Sequence, residues 1–213
     1  MSRARVLLAD DHQVILDGLR KCLEPEFEVV GTASNGRELL DRARELRPDA
    51  IVVDISMPLL NGVEAATQLR KNGSTAKVVF LTMHAEVLYA ARAFQAGASG
   101  YCLKHAAASE LVTAVREALA GRIYVTPIIA RQLMEYYREG GARRPDPIQK
   151  LSARRREILQ LLAEGRSAKQ IAPLLSLSAR TVEYHKYRMM KELGATTTAD
   201  LIQFAIRHGL TCV

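Results

Sequence analysis

Ala50-Ile51-Val52-Val53-Asp54-Ile55-Ser56-Met57-Pro58 carries four apolar residues straight into an aspartate, with a proline four residues further on. A short apolar run, rich in β-branched residues and bounded by turn residues, reads as a strand buried on both faces. In an open α/β sheet, ligands bind outside the C-terminal ends of the strands. Asp54 is therefore expected at the mouth of a crevice. A lone aspartate ending a strand is commonly just solvated, so the ends of the other apolar runs decide the matter.

Arg5-Val6-Leu7-Leu8-Ala9 is another such run, and it ends in Asp10-Asp11. Val14, Ile15, Leu19 and Leu23 then recur at helical spacing up to Pro25. Phe27 to Val30 reads as a second strand. Asn35-Gly36 opens a helix carrying Leu39, Leu40, Ala43 and Leu46, which Pro48 stops. After the Asp54 strand, Asn61-Gly62 opens a helix through Val63, Ala66 and Leu69. Lys77 to Thr82 is a fourth strand, and an alanine-rich helix runs to about Ala96. Gly100-Tyr101-Cys102-Leu103-Lys104 is a fifth, and Ser109 is expected to cap a helix striped by Leu111, Val112, Val115 and Leu119. Strands alternating with helices make a five-stranded, doubly wound parallel sheet.

The strand ends now line up as Asp10-Asp11, Asp54, Thr82 and Lys104. With the first, third, fourth and fifth strands adjacent, all of these groups meet in one crevice. Carboxylates that one lysine cannot neutralise call for a divalent cation, Mg²⁺ or Mn²⁺. Mg²⁺ is usually held by one or two carboxylates plus waters and phosphate oxygens. Asp11 and Asp54 are expected to ligate directly, Asp10 through water, and the Ser56 carbonyl to complete the set. Metal and Lys104 would offset the charge of an incoming phosphoryl group, leaving an Asp54 oxygen to act as nucleophile. Thr82 could then hydrogen-bond a phosphoryl oxygen.

Asp10-Asp11, Asp54 with Met57-Pro58 and Asn61-Gly62, Thr82, Ala96-Gly97-Ala98-Ser99-Gly100-Tyr101 and Lys104 together resemble the receiver domain of two-component response regulators. The resemblance covers about residues 3–121 and implies a flavodoxin-like fold. It implies phosphotransfer from a cognate histidine kinase to Asp54, with Thr82 and Tyr101 as a switch pair. Ser56 and His84, two residues past Asp54 and Thr82, stand where the family tunes the lifetime of the phosphoryl group. His84 itself reads as a residue at the pocket rim.

The second half has another character. Residues 1–121 hold 14 Lys+Arg against 15 Asp+Glu, whereas 122–213 hold 16 against 8, so the net +7 comes from the second part. A basic back half suggests that this part meets a polyanion. Tyr124-Val125-Thr126-Pro127 leads into a helical stretch to about Arg138, and the glycine-, proline- and charge-rich residues 140–147 mark a flexible boundary. From Leu151 the pattern is helical. Ser152 is an N-cap, Ser167 and Gln170 have capping-box spacing, and Leu177-Ser178 forms a turn before a helix from Thr181 to Leu193. A last helix runs from about Thr198 to His208. A short helix, a tight turn and a second helix make a helix-turn-helix, whose second helix enters the major groove. The face of that helix opposite Val182, His185, Met189 and Leu193 is basic, with tyrosines interleaved. His185 reads as a core histidine. Pro173 falls within the first helix of the pair, where it either kinks the helix or marks a later start.

Leu151-Ser152-x-Arg154-x-Arg156-Glu157-Ile158-Leu159, Leu162-Ala163-x-Gly165-x-Ser167-x-Lys169-x-Ile171-Ala172 and Ser178-x-x-Thr181-Val182-x-x-His185 resemble the LuxR/NarL-type DNA-binding domain. That implies an all-α, four-helix domain over about 148–213, binding double-stranded promoter DNA as a dimer. Carried over by position, base contacts fall on Glu183, Tyr184 and Tyr187. Arg180, Lys186, Arg188, Lys191 and Lys169 suit phosphates, with Thr181 at the helix start in the same DNA-facing set. The expected division is a receiver over 1–121, a linker with a helical part over 122–147, and the DNA-binding domain over 148–213.

Length and composition suit a soluble globular chain of one or two domains, and no apolar run approaches the eighteen or so residues of a membrane span. Cys22, Cys102 and Cys212 are scattered without metal spacing, which suits a reducing cytoplasm. The reading is a phosphorylation-switched transcription regulator, dimeric when phosphorylated, and not an enzyme. A phosphatase or nucleotide-binding enzyme on the same sheet is the main rival, but Asp-Asp-His-Gln-Val follows the first strand in place of a glycine-rich phosphate loop. A constitutive DNA-binding regulator would leave the acidic set, Thr82 and Lys104 unexplained. An adaptor working through protein contacts alone would leave the basic helix-turn-helix unexplained.

Overall fold

The structure is a computed structural model that describes residues 3–105, 108–141 and 146–211. Cys212 and half of the stretch read as a flexible boundary (residues 142–145 of 140–147) lie outside the described residues. The chain divides into two compact units, one to residue 142 and one from residue 143.

The first unit is a doubly wound α/β sheet. Its elements run β1 (Arg5–Ala9), α1 (Gln13–Leu23), β2 (Glu28–Ala33), α2 (Gly36–Leu46), β3 (Ala50–Val53), α3 (Gly62–Lys71), β4 (Lys77–Thr82), α4 (Val87–Ala96), β5 (Gly100–Leu103), α5 (Ala108–Leu119), β6 (Tyr124–Val125) and α6 (Pro127–Arg138). The strand order is β2-β1-β3-β4-β5-β6, and every pairing is parallel. Period-2 alternation along the strands sorts the core onto two faces. Leu7, Ile51, Val53, Phe80, Tyr101 and Leu103 pack with residues of α2, α3, α4 and α6. Val6, Leu8, Val52, Val79, Leu81 and Cys102 pack with α1 and α5. Burial in this second cluster pushes the Cys102 thiol up to about 12, so it stays a protonated apolar filler.

Helix starts follow the local chemistry. The Asn35 side chain accepts from the Arg37 and Glu38 backbone N–H groups, both at 3.0 Å, and Asn61 accepts from Glu64 N–H at 2.9 Å. Ser109 does not cap α5; it is the helix's second residue.

The sheet has six strands, not the five expected. Tyr124-Val125 extends it beyond β5, pairing with Gly100 and Tyr101. The Thr126 backbone N–H donates to the Tyr101 carbonyl at 3.0 Å. Its hydroxyl donates to Glu110 Oε2 at 3.2 Å. α6 then packs beside α4, with Ile129 fully buried in the core and Leu133 against it. Residues expected in a linker therefore form a sixth β-α repeat. The physical reason is the free edge of β5, whose backbone groups the added strand satisfies, and an apolar flank that Ile129 covers.

In the second unit, a 3₁₀ turn (Pro147–Lys150) leads into α7 (Ala153–Ala163), α8 (Ala168–Leu174), α9 (Ala179–Leu193) and α10 (Thr198–Arg207). Ile158, Leu159 and Leu161 of α7 are fully buried, and α8, α9 and α10 all pack against that helix. The Gln170 side-chain oxygen accepts from the Ser167 backbone N–H at 2.8 Å, fixing the start of α8 where its spacing puts it. Pro173 lies inside the last turn of α8, which ends one residue later. There the missing N–H removes a single helical bond and the turn to α9 follows at once.

Ile129→Ala should lower the stability of the sheet unit by about 2–5 kcal/mol, the usual result of emptying a buried aliphatic site. Urea unfolding of the full chain, followed by hydrogen exchange at β5 amides, reads this out. A helix standing apart from the sheet would give a change within about 0.5 kcal/mol.

Candidate functional site

The parallel ladder continues one residue past the strands and so sets the site. The Asp10 backbone N–H donates to the Ala33 carbonyl (3.1 Å), Asp54 N–H to Ala9 (2.9 Å) and Lys104 N–H to Thr82 (2.8 Å). Asp10, Asp54 and Lys104 are thereby each held by a neighbouring strand's end. Asp10 is 1 % exposed and Asp54 6 %, unusual burial for carboxylates. The Lys104 ammonium lies between them, 2.6 Å from Asp10 Oδ2 and 2.8 Å from Asp54 Oδ2. Burial works against the Lys104 charge, but the hydrogen bonds and charges of Asp10 and Asp54 outweigh it and hold its pKa above the usual lysine value. The other Asp54 oxygen, Oδ1, accepts from the Ile55 backbone N–H at 2.7 Å.

Asp11 sits at the outer side and is bonded to His12, whose Nδ1 lies 2.8 Å from Asp11 Oδ1. The His12 backbone N–H donates to Asp10 Oδ1 at 3.0 Å. Ligand atoms of Asp10, Asp11 and His12 all lie within 4.8 Å of one another. Asp54 is not in that group but faces Lys104 together with Asp10; the carboxylates of Asp10, Asp11 and Asp54 are hard oxygen donors of the kind that suits Mg²⁺ or Mn²⁺.

The loop after Asp54 is shaped by close approach. A Cβ at Gly62 would come 2.0 Å from the Asp54 carbonyl oxygen, so only glycine fits where α3 begins against the site. Leu59, in the same loop, is held at φ 67, a region that costs a non-glycine residue energy.

Thr82 and Tyr101 are fully buried. Both meet His84 through its backbone. The His84 N–H donates to Thr82 Oγ1 at 3.4 Å, and the Tyr101 hydroxyl donates to the His84 carbonyl at 2.8 Å. Burial, then the charges of Glu86, Tyr89 and Asp54, drive the Tyr101 pKa upward, so its hydroxyl stays a donor. The His84 ring shares a 2.7 Å hydrogen bond with Ser56 Oγ and stacks on Tyr89, with centroids 4.0 Å apart and planes at 11°. Sequence reading gave His84 only a place on the rim. Its position two residues past Thr82, as Ser56 is two past Asp54, was the one available signal.

On the second unit, Arg180, Glu183, Tyr184, Tyr187, Arg188 and Lys191 are exposed on α9 while Val182 and Met189 are buried. Lys169, on α8, is exposed as well. Several of these side chains are engaged with one another. Lys186 Nζ is 2.6 Å from Glu183 Oε2. Arg188 Nη1 donates to the Tyr184 hydroxyl at 3.2 Å, with its guanidinium 5.9 Å from that ring's centre. Glu192 holds both Arg155, at 2.7 Å, and Arg188, at 3.7 Å. Thr181 belongs to the helix cap: its N–H donates to Ser178 Oγ at 3.0 Å, and the two hydroxyls are 2.8 Å apart. His185 is half-buried, with Nδ1 shielded from solvent and lacking a hydrogen-bond partner among the described residues. Burial, then the charges of Arg155 and Arg154, hold its pKa below the usual histidine value.

Comparison with known proteins supplies the family. Residues 6–116 match the response regulator receiver domain, and residues 149–205 match the bacterial regulatory proteins of the luxR family. The transcriptional regulatory protein MctR of Rhizobium johnstonii is 38 % identical over 210 residues, 98 % of this chain and 95 % of that one. A LuxR-family response regulator from Aurantimonas superposes with a TM-score of 0.61 at 38 % identity, covering 64 % of this chain and 99 % of that one. RcsB of Salmonella typhimurium superposes at 0.60 with 25 % identity over 96 % of this chain and 98 % of that one, and RcsB solved in complex with DNA at 0.59. Among the described residues, no helix is long and apolar enough to cross a membrane.

His185 gives a pH signature. Its folded pKa is depressed, so below about pH 6.5 the unfolded chain takes up a proton that the folded chain refuses, and stability falls with pH. The unfolding midpoint of the α-helical unit should drop between pH 7 and pH 5. His185→Leu should lessen that drop; an identical pH slope in both proteins would contradict a neutral, buried imidazole.

Proposed function

On the premise that the chain belongs to the two-component response regulators with a LuxR-type DNA-binding domain, we propose that Asp54 is the phosphoacceptor and that its phosphorylation by a cognate histidine kinase controls binding to double-stranded promoter DNA. One observation carries this reading: the Lys104 ammonium bridges the buried Asp10 and Asp54 carboxylates at the C-terminal edge of the sheet. An Asp54 oxygen forms the O–P bond as the P–N bond of a phosphohistidine breaks, and the departing imidazole nitrogen takes up a proton. Lys104 then exchanges its bond to the carboxylate for one to a phosphoryl oxygen. Asp10, Asp11, Asp54 and the Ser56 carbonyl would hold Mg²⁺ or Mn²⁺, which when bound neutralises charge building on the phosphoryl oxygens.

The switch follows from the shared bonds of His84. Thr82 is the hydroxyl nearest in sequence to the β4 end, and drawing it toward a phosphoryl oxygen competes with the bond from His84 N–H. The same residue's carbonyl anchors Tyr101. Displacement at His84 therefore reaches both switch positions and, through its ring, Ser56 and Tyr89. Beside the site, Val14 (82 % exposed), Ile15, Leu19 and Leu111 line a pocket of about 240 Å³ that also touches Lys104. An exposed apolar patch next to the reacting groups supports kinase docking there.

The output is a regulator and not an enzyme. Phosphorylation favours a homodimer, which would hold two α9 helices about one DNA turn, roughly 34 Å, apart. We place this in the cytoplasm, with promoter DNA as partner and no membrane. Receiver function is assigned to residues 1–121 together with β6 and α6, and DNA binding to 148–213.

Two outcomes are expected. Asp54→Ala should abolish the mass gain of one phosphoryl group on incubation with Mg²⁺ and acetyl phosphate, while full acid-labile labelling of that variant would sink the assignment. Replacing Arg180 and Lys191 by alanine should weaken DNA binding and reduce the slope of log affinity against log salt by about 0.9 for each phosphate no longer neutralised. An unchanged slope would place the phosphate-binding cations on another face.

A further inference from the structure

The outward line of α9 has a definite order. At helical spacing i, i+4, i+7, i+11 it presents Arg180, Tyr184, Tyr187 and Lys191, directly opposite the buried Val182 and Met189. Cations stand at both ends and two tyrosines occupy the middle. From Arg180 to Lys191 the helix rises about 16 Å. The major groove of B-DNA is about 12 Å wide. A helix laid in the groove along this line therefore reaches the phosphates with its ends and the base edges with its tyrosines.

The flanking charges are already engaged. Glu183 is bonded to Lys186, and Arg188 is held by the Tyr184 hydroxyl and by Glu192, which Arg155 fixes in turn. The cations that commonly fork onto guanine O6 and N7 are thus absent from the middle of the line or tied at its side. The Tyr184 hydroxyl accepts from Arg188, and its ring lies beside that guanidinium. Tyr187 is different: the residue is 67 % exposed and its side chain makes no hydrogen bond or ring contact among the described residues. A large exposed aromatic at the centre of a groove-facing line has no folding role to explain it. In the major groove the apolar feature that such a ring can contact is the 5-methyl group of thymine.

We infer that Tyr187 is the principal specificity determinant of this protein's DNA binding and that it reads thymine 5-methyl groups, so that the half-site is centred on A·T pairs. This rests on the reading of α9 as the groove-entering helix. Arg180 and Lys191 set affinity through phosphates, and Tyr184 with Arg188 forms a braced wall beside Tyr187.

The test starts from duplexes selected from a random library by the full chain with Mg²⁺ and beryllofluoride. In the enriched site, each thymine is replaced singly by deoxyuridine, which removes only the methyl group. Binding should weaken about four-fold at the contacted thymine, the loss expected for one buried methyl, and stay unchanged at the others. Tyr187→Phe should keep that discrimination, because the ring does the reading. Tyr187→Ala should erase it, so that thymine and deoxyuridine sites bind equally. Selected sites centred on guanines, no effect of deoxyuridine at any position, or a Tyr187→Ala variant that still discriminates would overturn the inference while leaving groove binding intact. Failure to enrich any sequence, with affinity unchanged in Arg180→Ala/Lys191→Ala, would remove the groove reading itself and the inference with it.

Discussion

Two carboxylates buried within reach of one ammonium are the constraint on which the sheet unit depends. Asp10 and Asp54 project from neighbouring strands, and burying both without compensation would cost several kcal/mol for each charge. Lys104 supplies the compensation from β5, which is not adjacent to either strand. Its four-carbon stem has to span the width of β4 to reach them. The arrangement therefore requires β1, β3, β4 and β5 to lie side by side with their C-terminal ends level. A shift of one residue in β1, β3 or β5 would turn a charged group toward the core, since successive side chains point to opposite faces. The same demand explains the tight loop after Asp54. Gly62 presses against the Asp54 carbonyl and Leu59 is strained, so the loop stores energy where chemistry is expected.

A compensated but crowded acidic site is also a poised one. Removing the Lys104 bond from Asp54, by placing a phosphoryl group there, redistributes charge in a site with little water to absorb it. The buried hydroxyls of Thr82 and Tyr101 are the nearby polar groups able to respond. Both are bonded to the backbone of His84, whose ring is packed between Ser56 and Tyr89. On the proposed phosphorylation, a segment so anchored at ring, N–H and carbonyl would exchange one set of bonds for another and not yield by degrees.

Much of this was legible in the residues because the informative signals were local. Apolar runs ending in Asp10-Asp11, Asp54, Thr82 and Lys104 need only the strand period and the rule that ligands sit at strand ends. The helix caps at Asn35, Asn61 and Ser167 are equally local. What escaped reading was set by tertiary partners. Tyr124-Val125 is too short to show any alternation, and it becomes a strand only because the edge of β5 is free. His84 acts through its main chain, which no side-chain pattern announces. The brace of Arg155, Glu192 and Arg188 joins residues 37 positions apart and depends on how α7 meets α9.

The sixth repeat changes how a signal can leave the sheet. Val125 pairs in register with Tyr101, and the next residue, Thr126, donates its N–H to the Tyr101 carbonyl. The N-cap residue of α6 is thus hydrogen-bonded to the backbone of the residue whose hydroxyl is anchored at His84. Ile129, one turn on, lies in the same core cluster as Tyr101, Ala90 and Ala93. The chain that continues from α6 toward the second unit accordingly starts from a helix packed in the same core as Tyr101, not from a tether indifferent to it. On the proposed assignment of Asp54 as phosphoacceptor, coupling to the DNA-binding unit would need no direct contact with Asp54; it would need only that α6 be better packed in one state of Tyr101 than in the other.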